Sequence, residues 1–187
     1  LVTYDGKNAE RYEGFPVSFH IGENDIKLAQ KLILAGSEHA KFLRQIFVSV
    51  DIEAPLYWWK EMDQYRIGVT TNSESTMHRL SSTKITTDCF ERSDNTMKDN
   101  YFLNYINHLE SLRNEFNETG NKETWLSLIQ ELPSSWLQMR TTTMSYANLR
   151  TIWLQRKSHK LSLWSVDFCN WIETLPYAKE LIMLEVK

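Results

Sequence analysis

Polar and apolar residues alternate along a short segment in the first third of the chain. The apolar members of this segment recur at every second position: Ile46, Val48, Val50 and Ile52. A period of two predicts a β-strand with one buried face. Pro55 follows this strand, and its fixed backbone suits the first turn of a helix. We therefore expect a strand that leads into a helix.

Helical periodicity dominates the rest of the chain. Apolar residues recur every three or four positions, which predicts helices at 25–35, around 39, and at 56–67, 101–119, 122–132, 145–157, 164–173 and 177–186. Asn24 is expected to cap the first helix, and Gly68 is expected to end the helix after Pro55. Strands are expected near 1–4 and 16–20, so the sheet would come from the N-terminal third. This pattern predicts one α+β domain over residues 1–187.

Two polar segments separate these elements. Residues 69–77 are rich in threonine and serine and include an asparagine and a glutamate, which favours a turn-prone, hydrogen-bonding loop. Such a loop is either an ordinary surface connection or part of a binding site, and its composition fits both. Residues 80–100 are also polar, and we expect a long connection there.

Composition and charge narrow the class of protein. The chain has 187 residues and a formal net charge of −3, whereas a general nucleic-acid-binding protein is expected to be basic. Cys89 and Cys169 have no metal-ligand spacing, so we expect no metal site. No apolar run approaches the ~20 residues that cross a bilayer, and no leader pattern is seen. The sequence thus predicts a cytoplasmic protein with neither nucleic acid nor membrane as a partner.

A basic cluster ends the helix predicted at 145–157. It comprises Arg156, Lys157, His159 and Lys160. One interpretation is that cations at a helix C-terminus are favourable against the helix dipole. The other is that an arginine here binds a phosphate group, because a guanidinium offers paired donors.

A series of motifs runs through residues 39–79. These motifs are His39, Ala54-Pro55, Gln64-Tyr65-Arg66 and Asn72-Ser73-Glu74-Ser75. They resemble the signature of the flavin-dependent thymidylate synthases, in which a histidine, a strand and an Ala-Pro pair precede a helix ending in Arg-His-Arg. A loop with Asn-x-x-Ser and a further arginine follows in that family. A weaker similarity covers residues 146–171.

The chain departs from the family at several positions. Gln64-Tyr65-Arg66 stands in place of Arg-His-Arg, Gln45 in place of a flavin-contacting histidine, and Met77 in place of the loop arginine. Two cationic side chains are therefore missing from a site that binds phosphates in the family. His78 and Arg79 lie close enough in the sequence to offer replacement charge.

The resemblance implies which residues contact ligands. Contacts to the flavin cofactor, FAD, are expected from Gln45, Ser49, Gln64, Arg66, Asn72 and Ser75. Contacts to a pyrimidine nucleotide are expected from Glu61, Glu74, Ser75, Arg150 and Arg156. No residue is predicted to be catalytic, because in such chemistry the cofactor carries the difficult step.

The resemblance also implies a fold, an assembly and a reaction. The family has a small antiparallel sheet packed with helices and forms homotetramers with active sites between subunits. It methylates dUMP reductively, with a carbon from methylenetetrahydrofolate, a hydride from the reduced flavin and NADPH as the reductant of the flavin. One alternative is a diverged module that binds flavin or nucleotide without turnover. Another is an enzyme for a modified pyrimidine or a different one-carbon acceptor.

Overall fold

The structure is a computed structural model that describes residues 21–93 and 100–185. The strands expected near 1–4 and 16–20 lie outside these ranges. The described elements are α1 (Glu23–Leu34), a 3₁₀ turn (Ala40–Gln45), β1 (Phe47–Pro55), α2 (Leu56–Met62), β2 (Thr70–Ser73), α3 (Thr76–Ser82), a 3₁₀ turn (Thr87–Cys89), α4 (Asn100–Thr119), α5 (Lys122–Gln130), β3 (Leu137–Ser145), α6 (Tyr146–Arg156), a π-helical segment (Leu163–Phe168), α7 (Cys169–Glu173) and a second π-helical segment (Ala178–Ile182).

The described strands form a three-stranded sheet in the order β1-β3-β2. The Thr143 hydroxyl bonds Ser49 at 3.1 Å, and the Thr141 hydroxyl bonds Asp51 at 2.5 Å. Numbering falls along one strand as it rises along the other, so β1 and β3 are antiparallel. The prediction of an α+β fold with a small antiparallel sheet is confirmed. The sheet is not confined to the N-terminal third, however, because its central strand is β3.

Backbone contacts divide the chain into two compact units. The first unit comprises Leu1–Val50, Tyr65–Thr70 and Thr142–Lys187, and the second comprises Asp51–Gln64 and Thr71–Thr141. The single domain expected over residues 1–187 stays a prediction, since compact units of this kind can belong to one domain.

The first unit is organised around α6, as its apolar periodicity predicts. The buried residues of this helix are Tyr146, Leu149, Ile152 and Trp153. Its N-terminus carries a capping box: Ser145 and Asn148 each accept a hydrogen bond from the other's backbone N–H, at 3.3 and 3.0 Å. Such reciprocal capping satisfies two backbone donors that a helix start leaves without partners. The capping box fixes the start of α6, and its buried face fixes the helix against the core, so the position of its last residue, Arg156, is set as well.

The second unit has a core that links α3, α4 and α5. Its buried members are Leu80, Ile85, Cys89, Phe90, Phe102, Ile106, Leu109, Leu128 and Trp136. Four of these residues lie between 80 and 90, where we expected a long connection. Residues 80–82 belong to α3, so the connection begins at Thr83, and its described part at 83–93 contains the 3₁₀ turn Thr87–Cys89. Despite its polar composition this part is anchored, because Ile85, Cys89 and Phe90 are buried and Phe90 forms an antiparallel bridge with Trp136. The part of the prediction at 94–99 lies outside the described residues.

The aromatic helix α2 is shorter than its periodicity predicts. Trp58 and Trp59 are buried as expected, and the Trp59 indole N–H donates to the Gln138 carbonyl at 3.0 Å. The helix ends at Met62 rather than beside Gly68, and Pro55 is its N-cap with an extended backbone. Residues after Met62 therefore form a turn instead of a helix.

Two other local predictions are corrected. Helix α1 begins at Glu23 with Gly22 as its N-cap, so Asn24 lies inside the first turn. The polar segment at 69–77 contains β2 and the start of α3 rather than only a loop. No helix within residues 21–93 and 100–185 is long and apolar enough to span a bilayer.

Candidate functional site

The turn that carries Tyr65 and Arg66 is attached to the N-terminal end of α6 in the first unit. Asn148 donates from its side-chain nitrogen to the Ile67 carbonyl at 2.7 Å. Gly68 has a φ of +74°, a conformation that favours glycine, and a Cβ there would lie 3.5 Å from the Asn148 side-chain oxygen. Asn148 thus serves both the helix cap and this turn. The turn presents Arg66 as an exposed side chain.

Tyr65 is held over the C-terminal end of the same helix. Its hydroxyl donates to the Gln155 side-chain oxygen at 2.9 Å, and it accepts from the Arg156 Nε at 2.9 Å. The two hydrogen bonds are compatible, because a hydroxyl donates through its hydrogen and accepts through an oxygen lone pair. The result is an ordered series of hydrogen bonds from Arg156 through Tyr65 to Gln155.

Arg156 also lies against aromatic rings. Its guanidinium carbon is 4.7 Å from the centre of the Trp164 ring and 5.6 Å from that of Tyr65. Trp164 is fully buried and belongs to the π-helical segment Leu163–Phe168. Short π-helical segments occur frequently at functional sites. The cation is therefore fixed by an aromatic face and by a hydrogen bond.

Arg150 has a structural role in the first unit. Its Nη1 donates to the Ile182 carbonyl at 2.8 Å. Burial lowers the pKa of its guanidinium, and the charge of Glu185 acts in the opposite direction. Lys157 pairs with Glu185. Arg150 and Lys157 of this region therefore stabilise contacts between α6 and the C-terminal segment.

Arg79, which the sequence offers as a replacement cation, is occupied within the second unit. Its side chain is 16% exposed and pairs with Glu53 at 3.7 Å and Glu74 at 3.2 Å. It also donates to the Leu137 carbonyl at 3.2 Å, and its guanidinium lies 5.4 Å from the centre of the Trp136 ring. Two carboxylates offset its charge.

The motif Asn72-Ser73-Glu74-Ser75 spans the end of β2 and the start of α3. Asn72, Glu74 and Ser75 are all exposed. The Glu74 backbone N–H donates to the Met139 carbonyl at 2.9 Å, and the Gln138 side chain donates to the Glu74 carbonyl at 3.2 Å. The backbone of the motif is thereby anchored on β3, while Asn72 and Ser75 have exposed side chains and the Glu74 carboxylate pairs with Arg79.

The remaining predicted site residues lie in separate places. In the second unit, Gln64 is exposed and donates to the Lys60 carbonyl at 3.3 Å, and Glu61 is half-buried on α2. In the first unit, Gln45 is exposed at the end of a 3₁₀ turn, and Ser49 bonds Thr143 within the sheet. Within the first unit, Arg66 lies on the turn that carries Tyr65, and Arg156 lies at the end of α6 that Tyr65 contacts. Gln45 lies on the 3₁₀ turn before β1, and Ser49 lies on β1.

Sequence reasoning missed Trp164 and the role of Tyr65. The sequence marks Tyr65 only as a departure from the family triplet and Trp164 only as part of a predicted helix. The rings of these two residues lie 6.3 Å apart. No local pattern links positions so far apart in the chain. The substitution of tyrosine for histidine was the single available signal.

A cleft of about 270 Å³ lies in the second unit, and its lining includes none of the predicted site residues. Its lining comprises Tyr57, Glu91, Arg92, Ser93, Pro133, Ser134 and Ser135. The Tyr57 hydroxyl donates to Glu91 at 2.7 Å, and burial, with help from Glu91, raises the pKa of Tyr57. Among the described residues, no cluster of histidine, cysteine and carboxylate side chains is arranged to hold a metal ion.

These observations define an α+β protein with a small antiparallel sheet and an arginine held on aromatic rings. No protein-family model and no curated protein matches the sequence. Solved structures match it by fold. A flavin-dependent thymidylate synthase from Helicobacter pylori, in complex with FAD and dUMP, has a TM-score of 0.64 and 17% identity and covers 86% of this chain and 83% of its own. A second crystal structure of a Helicobacter pylori thymidylate synthase X with FAD and dUMP has a TM-score of 0.64, 17% identity and coverage of 86% and 82%. The chain therefore has the fold of the flavin-dependent thymidylate synthases.

Proposed function

We propose that this chain binds FAD and a pyrimidine nucleotide such as dUMP, and that it methylates the nucleotide reductively. Methylenetetrahydrofolate and NADPH would be its cosubstrates. The observation that carries this proposal is the likeness of 86% of the chain to structures that contain FAD and dUMP. The resemblance of residues 39–79 to the family signature supports it from the sequence.

The described residues suit ligands that carry phosphate groups and hydrogen-bonding rings. In the first unit, Arg66 and Arg156 supply guanidinium groups, which bind phosphate oxygens with paired donors. In the second unit, Asn72 and Ser75 expose side chains that both donate and accept hydrogen bonds. Glu74 lies beside them, and its carboxylate accepts a hydrogen bond from Arg79 at 3.2 Å; a carboxylate has further acceptor sites for the N–H groups of a base or for sugar hydroxyls.

The protein's contribution to the reaction is binding and orientation. FAD, when bound and reduced, supplies the hydride. Arg156 would hold the nucleotide phosphate and so restrict how far the base can move, which lowers the entropic cost of reaching a reactive geometry. Asn72 and Ser75 of the second unit would contact the flavin, by resemblance to the family. Because the cofactor carries the difficult step, no protein nucleophile is required.

The absorbance spectrum of the purified protein tests flavin binding directly. We expect a yellow protein with flavin bands, or one that acquires those bands when FAD is added. Calorimetry with dUMP tests the nucleotide. A colourless protein that binds neither FAD nor dUMP would contradict the proposal.

A second candidate is a binding module that keeps the fold and the ligands without synthase turnover. The occupied arginines favour it: Arg79 is paired with two carboxylates and Arg150 with a backbone carbonyl, while Gln45 and Gln64 are uncharged. Assay of tritium release or thymidylate formation with NADPH and methylenetetrahydrofolate separates the two candidates. Flavin and dUMP binding without product formation identifies the module. Product from a modified pyrimidine, but not from dUMP, identifies an enzyme with a different acceptor.

We also propose a homotetramer, by resemblance to the family. Several large apolar side chains of the first unit are exposed, among them Phe47 at 64% and Ile67 at 91%. Burial of such surface in partner subunits would be favourable. Sedimentation equilibrium should return four times the mass of one chain, and a single-chain mass would contradict this proposal.

A further inference from the structure

We propose that the cleft of the second unit binds a small zwitterion, a molecule with a carboxylate and an ammonium group, such as a free amino acid. Its lining includes none of the residues assigned to FAD or the nucleotide, so this proposal is independent of the proposed function. The cleft volume of about 270 Å³ equals the space of about nine water molecules at ~30 Å³ each. That space suits a small molecule rather than a folded chain.

The walls of the cleft are tied together by the backbone. The Tyr57 N–H donates to the Ser134 carbonyl at 3.1 Å, and the Glu91 N–H donates to the Ser135 carbonyl at 2.9 Å. Segment 133–136 is thus joined to α2 on one side and to Glu91 on the other. Because these bonds are in place before a ligand arrives, binding costs less ordering of the chain.

Arg92 brings a cation to the cleft. Its guanidinium carbon lies 4.1 Å from the centre of the Phe102 ring, on α4. Its Nε is buried without a hydrogen-bonding partner, and its Nη groups are neither buried nor hydrogen-bonded within the described residues. A guanidinium that is held on a ring and has its paired donors unused suits a carboxylate.

Glu91 brings the opposite charge to the same cleft. Its Oε2 accepts from the Tyr57 hydroxyl at 2.7 Å. Burial, with help from Glu91, raises the pKa of Tyr57, so the phenol keeps its proton and stays a donor. The other carboxylate oxygen, Oε1, makes no hydrogen bond within the described residues and can accept from an ammonium group.

The two charges do not neutralise each other. Glu91 and Arg92 are adjacent in the sequence, but no ion pair joins them in the part of the chain that the structure describes. Glu91 is instead held by Tyr57, and Arg92 by Phe102. Opposite charges held apart in one cleft are complementary to a ligand that carries both. They disfavour a doubly charged anion, because Glu91 would repel it.

A buried hydroxyl without a partner also lines the cleft. Ser135 is 8% exposed, and its Oγ is buried and makes no hydrogen bond. Such a group costs free energy in the empty protein. A bound carboxylate would supply the missing partner after rotation about the Cα–Cβ bond of the serine. This unsatisfied hydroxyl and the unpaired Arg92 distinguish the cleft from an ordinary polar surface.

Nuclear magnetic resonance of the isotope-labelled protein tests the proposal, with each standard L-amino acid added singly. We expect at least one to shift the backbone amide signals of Tyr57, Glu91, Arg92 and Ser135 in a saturable manner. The N-acetyl derivative of that amino acid lacks the ammonium charge, and its carboxamide lacks the carboxylate charge. Each derivative should bind with a Kd about tenfold higher, as for the loss of a hydrogen bond to a charged group.

Paired variants identify which charge each residue binds. Arg92→Gln should raise the Kd of the amino acid about tenfold and leave that of the carboxamide unchanged, because this ligand has no carboxylate. Glu91→Gln should likewise weaken the amino acid and leave the N-acetyl derivative unchanged. The matched controls are Arg44→Gln in the first unit and Glu118→Gln on α4, both at exposed positions. Neither control should change any Kd.

Thermal unfolding establishes that each variant is folded. If Arg92→Gln is unfolded, Arg92→Lys takes its place, because lysine keeps the charge and removes the paired donors. It should weaken the amino acid more than the carboxamide.

Several outcomes would overturn the proposal. One is the absence of a saturable shift with every amino acid. Another is equal affinity for the amino acid and its N-acetyl derivative, since the site would then bind any carboxylate. Tighter binding of inorganic phosphate than of every amino acid, or an unchanged Kd of the amino acid in both Arg92→Gln and Glu91→Gln, would overturn it as well.

Discussion

Two arginines of this chain each lie against a buried tryptophan, and their surroundings differ. In the second unit, Arg79 lies 5.4 Å from the centre of the Trp136 ring and pairs with Glu53 and Glu74. In the first unit, Arg156 lies 4.7 Å from the centre of the Trp164 ring and bonds the Tyr65 hydroxyl. The aromatic contact is common to both, whereas the charge of the hydrogen-bonding partner is not.

The difference shows why closeness to a motif in the sequence is a weak guide to ligand binding. Arg79 follows the Asn-x-x-Ser motif within a few residues, but carboxylates on β1 and at the start of α3 hold it. A cation with two such partners contributes to the stability of the fold. Arg156 is far from that motif in the chain, and it lies against Trp164 and bonds the Tyr65 hydroxyl. It is the arginine that we propose for the nucleotide phosphate, by resemblance to the family.

Removal of either tryptophan should cause the largest loss of stability, and the loss should be similar in the two regions. Trp136 and Trp164 are fully buried, so Trp136→Ala and Trp164→Ala should each lower the free energy of unfolding by roughly 3–5 kcal/mol. Urea denaturation measures this. Trp171→Ala, at a half-buried position, should cost less. Wild-type stability in either variant at a fully buried position would show that the ring does not contribute to the core.

Replacement of the two arginines should then separate ligand binding from stability. Arg156→Ala should weaken binding of dUMP by roughly 1.5–3 kcal/mol, as expected for a charge-assisted phosphate contact. Arg79→Ala is the matched control, because it removes the same side chain from a tryptophan and should leave dUMP binding unchanged. Calorimetry checks both variants. Equal losses of affinity would remove the distinction between the two arginines.

The same two variants should rank in the opposite order when stability is measured: Arg79→Ala should lower the free energy of unfolding more than Arg156→Ala does. Arg79→Ala leaves Glu53 and Glu74 without their shared cation and should lower the free energy of unfolding by about 1–2 kcal/mol. This value is discounted for solvent screening, since both carboxylates are 44% exposed. Arg79→Lys should recover part of the loss. Unchanged stability in Arg79→Ala would mean that the ion pairs are too well solvated to matter.

A cation can also be restored where the chain departs from the family. Gln64 is exposed, and its side chain donates to the Lys60 carbonyl at 3.3 Å, so Gln64→Arg should be accommodated without a clash. If the ancestral site persists, this variant should bind FAD or dUMP about 1–2 kcal/mol more tightly. Gln130→Arg, at an exposed position on α5, is the control. Weaker binding in Gln64→Arg would indicate a pocket remodelled for another ligand.

The smallest expected effect concerns a third arginine, Arg113, and the pH dependence of the free energy of unfolding. Arg113 bonds Glu110 at 2.6 and 2.8 Å and lowers the pKa of that carboxyl, although burial acts against it. A carboxyl whose pKa is lowered by folding stabilises the folded state above its ordinary pKa, and this stability is lost as the pH falls through the lowered value. The free energy of unfolding of wild type should therefore drop more steeply below pH 4.5 than that of Glu110→Gln.

The control for the pH experiment is Glu118→Gln on the same helix. Glu118 is exposed, and its replacement should leave the acid dependence of wild type in place. An identical acid dependence in wild type and Glu110→Gln would show that the Glu110 and Arg113 pair contributes nothing to acid stability.

Local periodicity predicted much of the secondary structure. The alternation around Val48 and Val50 identified β1, and the apolar faces of α4 and α6 identified those helices. Glycine marked the end of α4, as predicted for the segment before Gly120. These features depend on residues that are neighbours in sequence, so they can be read from the chain alone.

The sheet and the site required contacts between distant residues. Strand β3 contains a run of three threonines and was not recognised, because a strand is stabilised by its partners rather than by its own hydrogen bonds. Helix α2 stops at Met62 although its apolar pattern predicts a longer helix. Burial of Leu80, Ile85 and Phe90 likewise depends on α4 and Trp136.

The sequence by itself determined the class of fold and a family resemblance, because periodic burial and motif spacing are local properties of the chain. The roles of individual side chains at the proposed site stay predictions. Which partners each arginine contacts was decided only by the tertiary structure. Glu53 reaches Arg79, and Tyr65 and Trp164 reach Arg156, through contacts that no spacing rule encodes. The surroundings of a charge depend on those contacts and not on the residue type.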